Sequence, residues 1–73
     1  MGLQLIDRHH CHLCEEAAFY LRELGADFET VDVDGDPELV RAYGMRVPVL
    51  LREGEVLMEG RFDRTSLRTV LAT

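Results

Sequence analysis

Two cysteines separated by two residues, Cys11 and Cys14, stand where a short apolar run gives way to helical spacing. No other feature constrains the chain as much. In the first turn of a helix, residues three apart occupy neighbouring positions on one face, so two sulfurs there can close a short disulfide loop. The outer sulfur then meets unpaired backbone N–H groups and the positive end of the helix dipole, and both favour a thiolate. Thiolate, not thiol, is the attacking species in disulfide exchange. The stretch His9-His10-Cys11-His12-Leu13-Cys14-Glu15-Glu16 holds every cysteine and every histidine of the chain.

The flanks fit a strand before this stretch and a helix after it. Leu3-Gln4-Leu5-Ile6-Asp7-Arg8 is mostly apolar and reads as a buried strand. From Cys14 onward, Ala17, Ala18, Leu21 and Leu24 recur at helical spacing, Glu15, Glu16, Arg22 and Glu23 take the other side, and Gly25 marks the stop. That register puts Cys14 on the inward stripe and leaves Cys11 at the exposed mouth of the helix. Phe28 to Val33 alternates as a second strand, which makes a parallel βαβ unit with the first. Asp36 as N-cap, Pro37 at the first helical position and Gly44 at the stop bound a short helix with Leu39, Val40 and Tyr43 facing in.

Arg46 to Leu51 reads as a third strand with Pro48 near its entrance, and Glu53-Gly54 turns it into a fourth, Val56-Leu57-Met58. Gly60 breaks the chain. Asp63 caps a last helix carrying Leu67, Val70 and Leu71, and Phe62 and Leu67 have the spacing of a hydrophobic staple. Phe19, Tyr20 and Tyr43 are expected to pack. The order β-α-β-α-β-β-α predicts an α/β fold: one four-stranded mixed sheet with helices on both faces, in a single domain over residues 1–73.

Seventy-three residues lie near the lower limit for a chain that folds alone. Eight arginines, no lysine and fourteen acidic residues give a formal net charge of −6. That balance argues against a nucleic-acid or anionic-membrane partner, because counterion release needs clustered basic groups. No run approaches the roughly 18 apolar residues of a membrane span, and no signal-peptide pattern precedes the first strand. A cytoplasmic monomer is the expectation. In that compartment two close cysteines are more often catalytic or metal-binding than a structural staple.

The element order, with Cys11-His12-Leu13-Cys14 opening the first helix, Val47-Pro48 opening the third strand and Gly60 before the last helix, resembles a minimal thioredoxin fold. Within that fold the chain is more similar to the small glutaredoxins and glutaredoxin-like proteins than to thioredoxin. It lacks thioredoxin's extra N-terminal strand and helix and has no tryptophan beside the first cysteine. The resemblance implies a thiol–disulfide oxidoreductase with Cys11 as nucleophile and Cys14 as resolving cysteine. It places Arg8 where glutaredoxins commonly keep a lysine. Val47 matches the residue whose backbone pairs with a bound peptide, and Pro48 the cis-proline that faces the sulfurs. Gly60 and Asp63 fall in the region that holds the γ-glutamyl end of glutathione. The implied substrates are disulfide-bearing proteins or glutathione mixed disulfides, and no cofactor is required beyond an electron donor such as glutathione. Cys-His-Leu-Cys departs from the usual Cys-Pro-Tyr-Cys, and Glu59-Gly60-Arg61-Phe62-Asp63 has one glycine and one aspartate where the family often shows two of each.

His12, between the sulfurs, is placed to stabilise the Cys11 thiolate when protonated. Two other function classes remain open on the residues alone. One is a zinc, copper or iron–sulfur module using the two thiolates and imidazoles, although no second Cys/His pair follows to complete a ligand set. The other is a non-catalytic binding module. Arg8 reads either as an anion holder or as a surface arginine, and Asp63 either as a helix cap or as a ligand for a substrate amine.

Overall fold

The computed structural model describes residues 2–72. Its elements are β1 (Leu3–Asp7), α1 (His12–Glu23), β2 (Phe28–Asp32), a 3-10 turn (Val33–Gly35), α2 (Pro37–Tyr43), β3 (Val49–Arg52), β4 (Glu55–Glu59) and α3 (Arg64–Leu71). The strands run in the order β2-β1-β3-β4, with β1 parallel to β2 and antiparallel to β3, and β3 antiparallel to β4. This is the mixed sheet and element order of a minimal thioredoxin fold.

Side-chain alternation along the central strands decides which helix lies on which face. Leu3 and Leu5 of β1 and Leu50 of β3 bury on one side, against Ala17, Ala18 and Leu21 of α1, Leu67 of α3, and Phe62. Ile6, Val49 and Leu51 point to the other side and meet Val33 with the half-buried Leu39 and Tyr43 of α2. Each large aliphatic side chain withdrawn from water in this way contributes roughly 1.5–3 kcal/mol relative to leaving it exposed.

The helix ends follow local chemistry. At the end of α1 the Ala26 N–H donates to the Leu21 carbonyl and the Gly25 N–H to that of Arg22, with Gly25 at φ 75°. This is the Schellman arrangement, and it needs a residue that accepts positive φ. α2 begins at Asp36, whose carboxylate accepts the Glu38 N–H, with Pro37 next. Gly44 is its C-cap, donating its N–H to the Val40 carbonyl so closely that an added Cβ would lie 2.5 Å from that oxygen, which favours glycine there. Asp63 caps α3 by accepting the Ser66 N–H, and Phe62 and Leu67 bury in one cluster across that cap, as the staple spacing predicts.

Several boundaries and orientations differ from the sequence reading. The third strand starts at Val49, and Arg46-Val47-Pro48 lies in the preceding turn, because a proline brings no N–H to a ladder. The Val47–Pro48 peptide bond is cis. β2 stops at Asp32, whose carboxylate accepts the Asp34 N–H and so draws Val33 into a turn. Val40 does not face in; it is 41% exposed, since the seven residues of α2 present only one narrow stripe, Leu39 and Tyr43, to the sheet. Phe19 is likewise 51% exposed, turned away from the stripe formed by Cys14, Ala17, Ala18 and Leu21. β4 is longer than Val56–Met58, and a register shift opposite Leu50 and Leu51 interrupts its alternation.

Candidate active site

Strand direction gathers the predicted residues at one end of the sheet. Asp7 pairs with Asp32 across the parallel strands, Ile6 with Val49, and Val49 with Glu59. The ends of β1, β2 and β4 and the start of β3 therefore lie together. Arg8 to Cys11, the 3-10 turn, the Gly44–Pro48 segment and the Gly60–Asp63 turn all leave from this end. The Gly60 N–H donates to the Pro48 carbonyl at 2.9 Å, tying two of these turns to each other. Gly60 does so at φ 81°, a conformation that glycine adopts without strain.

Cys11 is the N-cap of α1. Its extended backbone (φ −109°, ψ 107°) turns the side chain over the first helical turn, where Sγ accepts the Cys14 N–H at 3.2 Å. The two sulfurs are at disulfide distance, with Cα atoms 5.2 Å apart. Cys14 is buried at 3% exposure, and Cys11 is only half-buried. The amphipathic register alone anticipates this difference. His10, just before Cys11, takes φ 58°, and His12 is exposed as the first residue of α1. The rings of His9 and His10 are tilted by 51° with centroids 6.4 Å apart. Among the described residues, no group of three or more His, Cys, Asp or Glu side chains is placed to hold a metal ion.

Arg8 is tied down on two sides. Its Nε and Nη2 donate to the two carboxylate oxygens of Asp34 at 2.9 and 3.0 Å, and Nη1 donates to the Gly44 carbonyl at 2.8 Å. Hydrogen bonding to Arg8 holds the Asp34 carboxyl below its ordinary range, against the opposing effect of burial. Arg46 repeats the pattern, donating through Nε and Nη2 to Glu59 at 3.1 and 2.6 Å. Asp7 goes the other way. Burial and then the neighbouring Asp32 push its carboxyl up, with His9 opposing. His9 Nε2 lies 4.0 Å from Asp32 Oδ2. Asp63 is held low by the Ser66 backbone N–H and then the Ser66 hydroxyl, so its oxygens are used within its own cap.

Arg8, Cys11, Val47, Pro48 and Gly60 thus share one end of the molecule, with Cys14 beneath Cys11 and His12 beside it. Val47 lies ahead of the β3 ladder. Asp63 stands at the far side of the Gly60 turn and is occupied in capping. Sequence reasoning missed Asp34, Gly44 and the Arg46–Glu59 pair. One signal was present for the first: residues just beyond two adjacent parallel strands must meet. A hollow of about 470 Å³ lined by Gln4, Phe28, Glu29 and Glu53 lies at the other end of the sheet, away from the sulfurs.

A family model described as Glutaredoxin-like domain (DUF836) matches residues 2–72. The chain belongs to this glutaredoxin-like family. An uncharacterized protein of Mycobacterium tuberculosis is 34% identical over 96% of this chain and 81% of its own length. The X-ray structure of the protein XcR50 from X. campestris superposes with a TM-score of 0.88 at 38% identity, covering 97% of this chain and 96% of that one. A glutaredoxin from Archaeoglobus fulgidus shares the fold at a TM-score of 0.72 and 16% identity, over 99% of this chain and 87% of that one. In this glutaredoxin-like fold, the Cys11–Cys14 pair at disulfide distance supports a thiol redox role. Among the described residues, no helix is long and apolar enough to cross a membrane.

Proposed function

We propose that this glutaredoxin-like protein is a thiol–disulfide oxidoreductase that reduces protein or glutathione mixed disulfides through Cys11 and Cys14. The observation that carries this reading is the unequal placement of the two sulfurs. Cys11 is half-buried at the mouth of α1, its Sγ accepting the Cys14 N–H, while Cys14 is buried behind it. A backbone N–H and the helix N-terminus both favour negative charge on Cys11, which makes it the attacking thiolate. His12, when protonated, adds to that preference.

In the forward reaction the Cys11 thiolate attacks one sulfur of the substrate disulfide. A new S–S bond forms, the substrate S–S bond breaks, and the other substrate sulfur leaves as a thiolate that takes up a proton. Cys14 then loses its proton and attacks Cys11 Sγ. The mixed disulfide breaks, the second substrate thiolate leaves, and two electrons have passed from the protein dithiol to the substrate. A thiol donor, glutathione or another reductant, restores the dithiol by the reverse exchange. Val47, ahead of the β3 ladder, supports docking of an extended peptide through its main-chain N–H and C=O. The reading takes the protein as a monomer working in the cytoplasm.

The test is trapping. With a disulfide substrate, Cys14→Ser should accumulate a mixed disulfide through Cys11, visible by mass, and Cys11→Ser should accumulate none. Equal trapping by both variants, or none by either, overturns the assignment.

A further inference from the structure

We propose that Asp34 sets substrate selectivity: by occupying Arg8 it turns the sulfur site away from anionic small disulfides and toward cysteine-bearing polypeptides held by their main chain. The inference rests on the dithiol reading and names the substrate class of that same site.

Arg8 is the basic residue of the segment that runs from β1 to Cys11. Its guanidinium lies among the turns at the same end of the sheet as Cys11, and a planar guanidinium recognises carboxylate best through a two-pronged face. That face is taken, because Nε and Nη2 already hold both oxygens of Asp34, and Nη1 is held by the Gly44 carbonyl. A substrate carboxylate would have to displace an ion pair that forms within the molecule and needs no further ordering. Arg46, the next guanidinium around this end, is engaged by Glu59 in the same two-pronged way. Among the described residues here, Arg61 is the arginine without a carboxylate partner, and it stands exposed on the turn after β4.

The surrounding field adds to this. Asp7 and Asp32 stand paired at the strand ends before the Cys11 turn, and Glu15 and Glu16 follow Cys11 in the first turns of α1, on a chain of net charge −6. Charges within a Debye length of about 8–10 Å are felt by an approaching ligand. Oxidised glutathione, with two carboxylates and one ammonium on each half, is repelled and finds no open cation at Arg8. An extended, uncharged peptide disulfide avoids that repulsion and can use the Val47 backbone.

The experiment compares kcat/KM for oxidised glutathione, for hydroxyethyl disulfide as a neutral small disulfide, and for an uncharged, end-capped peptide disulfide. Wild type should prefer the peptide to oxidised glutathione. Asp34→Asn, which frees Arg8, should raise kcat/KM for oxidised glutathione by about fivefold, the scale of one exposed ion pair, through KM and not kcat. The gain should shrink at high salt, disappear in the Asp34→Asn/Arg8→Gln double variant, and leave hydroxyethyl disulfide unaffected. Mere loosening of the loops would instead move all three substrates together and would overturn the proposal. Should Asp34→Asn fold poorly, the wild-type comparison decides: equal or faster reduction of oxidised glutathione than of the peptide overturns it. Failure of wild type to reduce any of the three would overturn the dithiol reading itself, a distinct result.

Discussion

His10 holds a left-handed backbone, φ 58°, in the position that delivers Cys11 to the mouth of α1. For a residue with a Cβ that conformation costs roughly 1–2 kcal/mol, more when the side chain is β-branched. His10→Val should therefore lower stability by about 1 kcal/mol, whereas His10→Gly should stay within about 0.5 kcal/mol of wild type, since glycine's greater unfolded freedom offsets the relief. Chemical denaturation midpoints check this, and equal losses in both variants would show that the imidazole matters more than the backbone. Asp7 gives a pH-dependent expectation at the same scale. Burial and Asp32 raise its folded pKa above the ordinary 3.8, so its contribution to stability is full below that value and is lost as pH rises through the folded one. Asp7→Asn should accordingly raise the melting temperature at pH 7 and bring little gain at pH 3. The unequal burial of Cys11 and Cys14 was legible in the sequence because helical register alone separates an inward sulfur from an outward one. The conformation of His10 was not, since no glycine or turn pair marks it. Nor was the Arg8–Asp34 pair, which spans 26 residues and exists only because two parallel strands end side by side.

Elements were legible wherever a cap or a period marked them. α1 and α3 follow their apolar stripes and begin at the residues whose side chains satisfy their first N–H groups. α2 was only half legible: its caps were plain, but seven residues hold too little periodicity to tell Val40 from its neighbours. The start of β3 was obscured by Pro48, which is apolar enough to prolong a strand pattern and yet cannot join a ladder. Two glycines test the account of helix ends. Gly25→Ala forces a Cβ into φ 75° and should cost about 1 kcal/mol. Gly35→Ala, at a position without positive φ and with nothing within 4 Å of the added Cβ, should be neutral or stabilise by about 0.4–1 kcal/mol. Urea unfolding of the two variants measures the contrast, and similar losses would remove the Schellman explanation. The Asp63 cap should show in acid. Its folded pKa lies below 3.8, so its contribution is present above 3.8 and fades as pH falls through the lower folded value. Asp63→Ala should be less stable than wild type at pH 6 and nearly equal to it well below pH 3.

At the scale of the whole molecule, alternation along β1 and β3 sets both faces of the sheet, though their near-continuous apolar runs hid it in the sequence, and strand direction then determines that four loops meet around the sulfurs. The turn contacts among those loops, Gly60 to Pro48 and Arg46 to Glu59, belong to no periodic pattern and emerge only once the strands are placed. The same topology sends the hairpin turn at Glu53 and Gly54 to the opposite end, beside the start of β1, where Glu53 lines the hollow with Gln4 and Phe28. About five residues of strand, on the order of 16 Å, separate that turn from the sulfur end. The molecule therefore has a sulfur end and, opposite it, a handle. Lengthening a surface loop adds little closure entropy, about 0.6 kcal/mol per doubling. A Gly-Ser-Gly insertion between Glu53 and Gly54, or a fluorophore carried on it, should leave the rate at which Cys11 is alkylated in the Cys14→Ser background unchanged. The same insertion between Gly60 and Arg61 should slow or abolish substrate reduction. Such a handle would let the protein be immobilised on a sensor with its sulfurs facing solution.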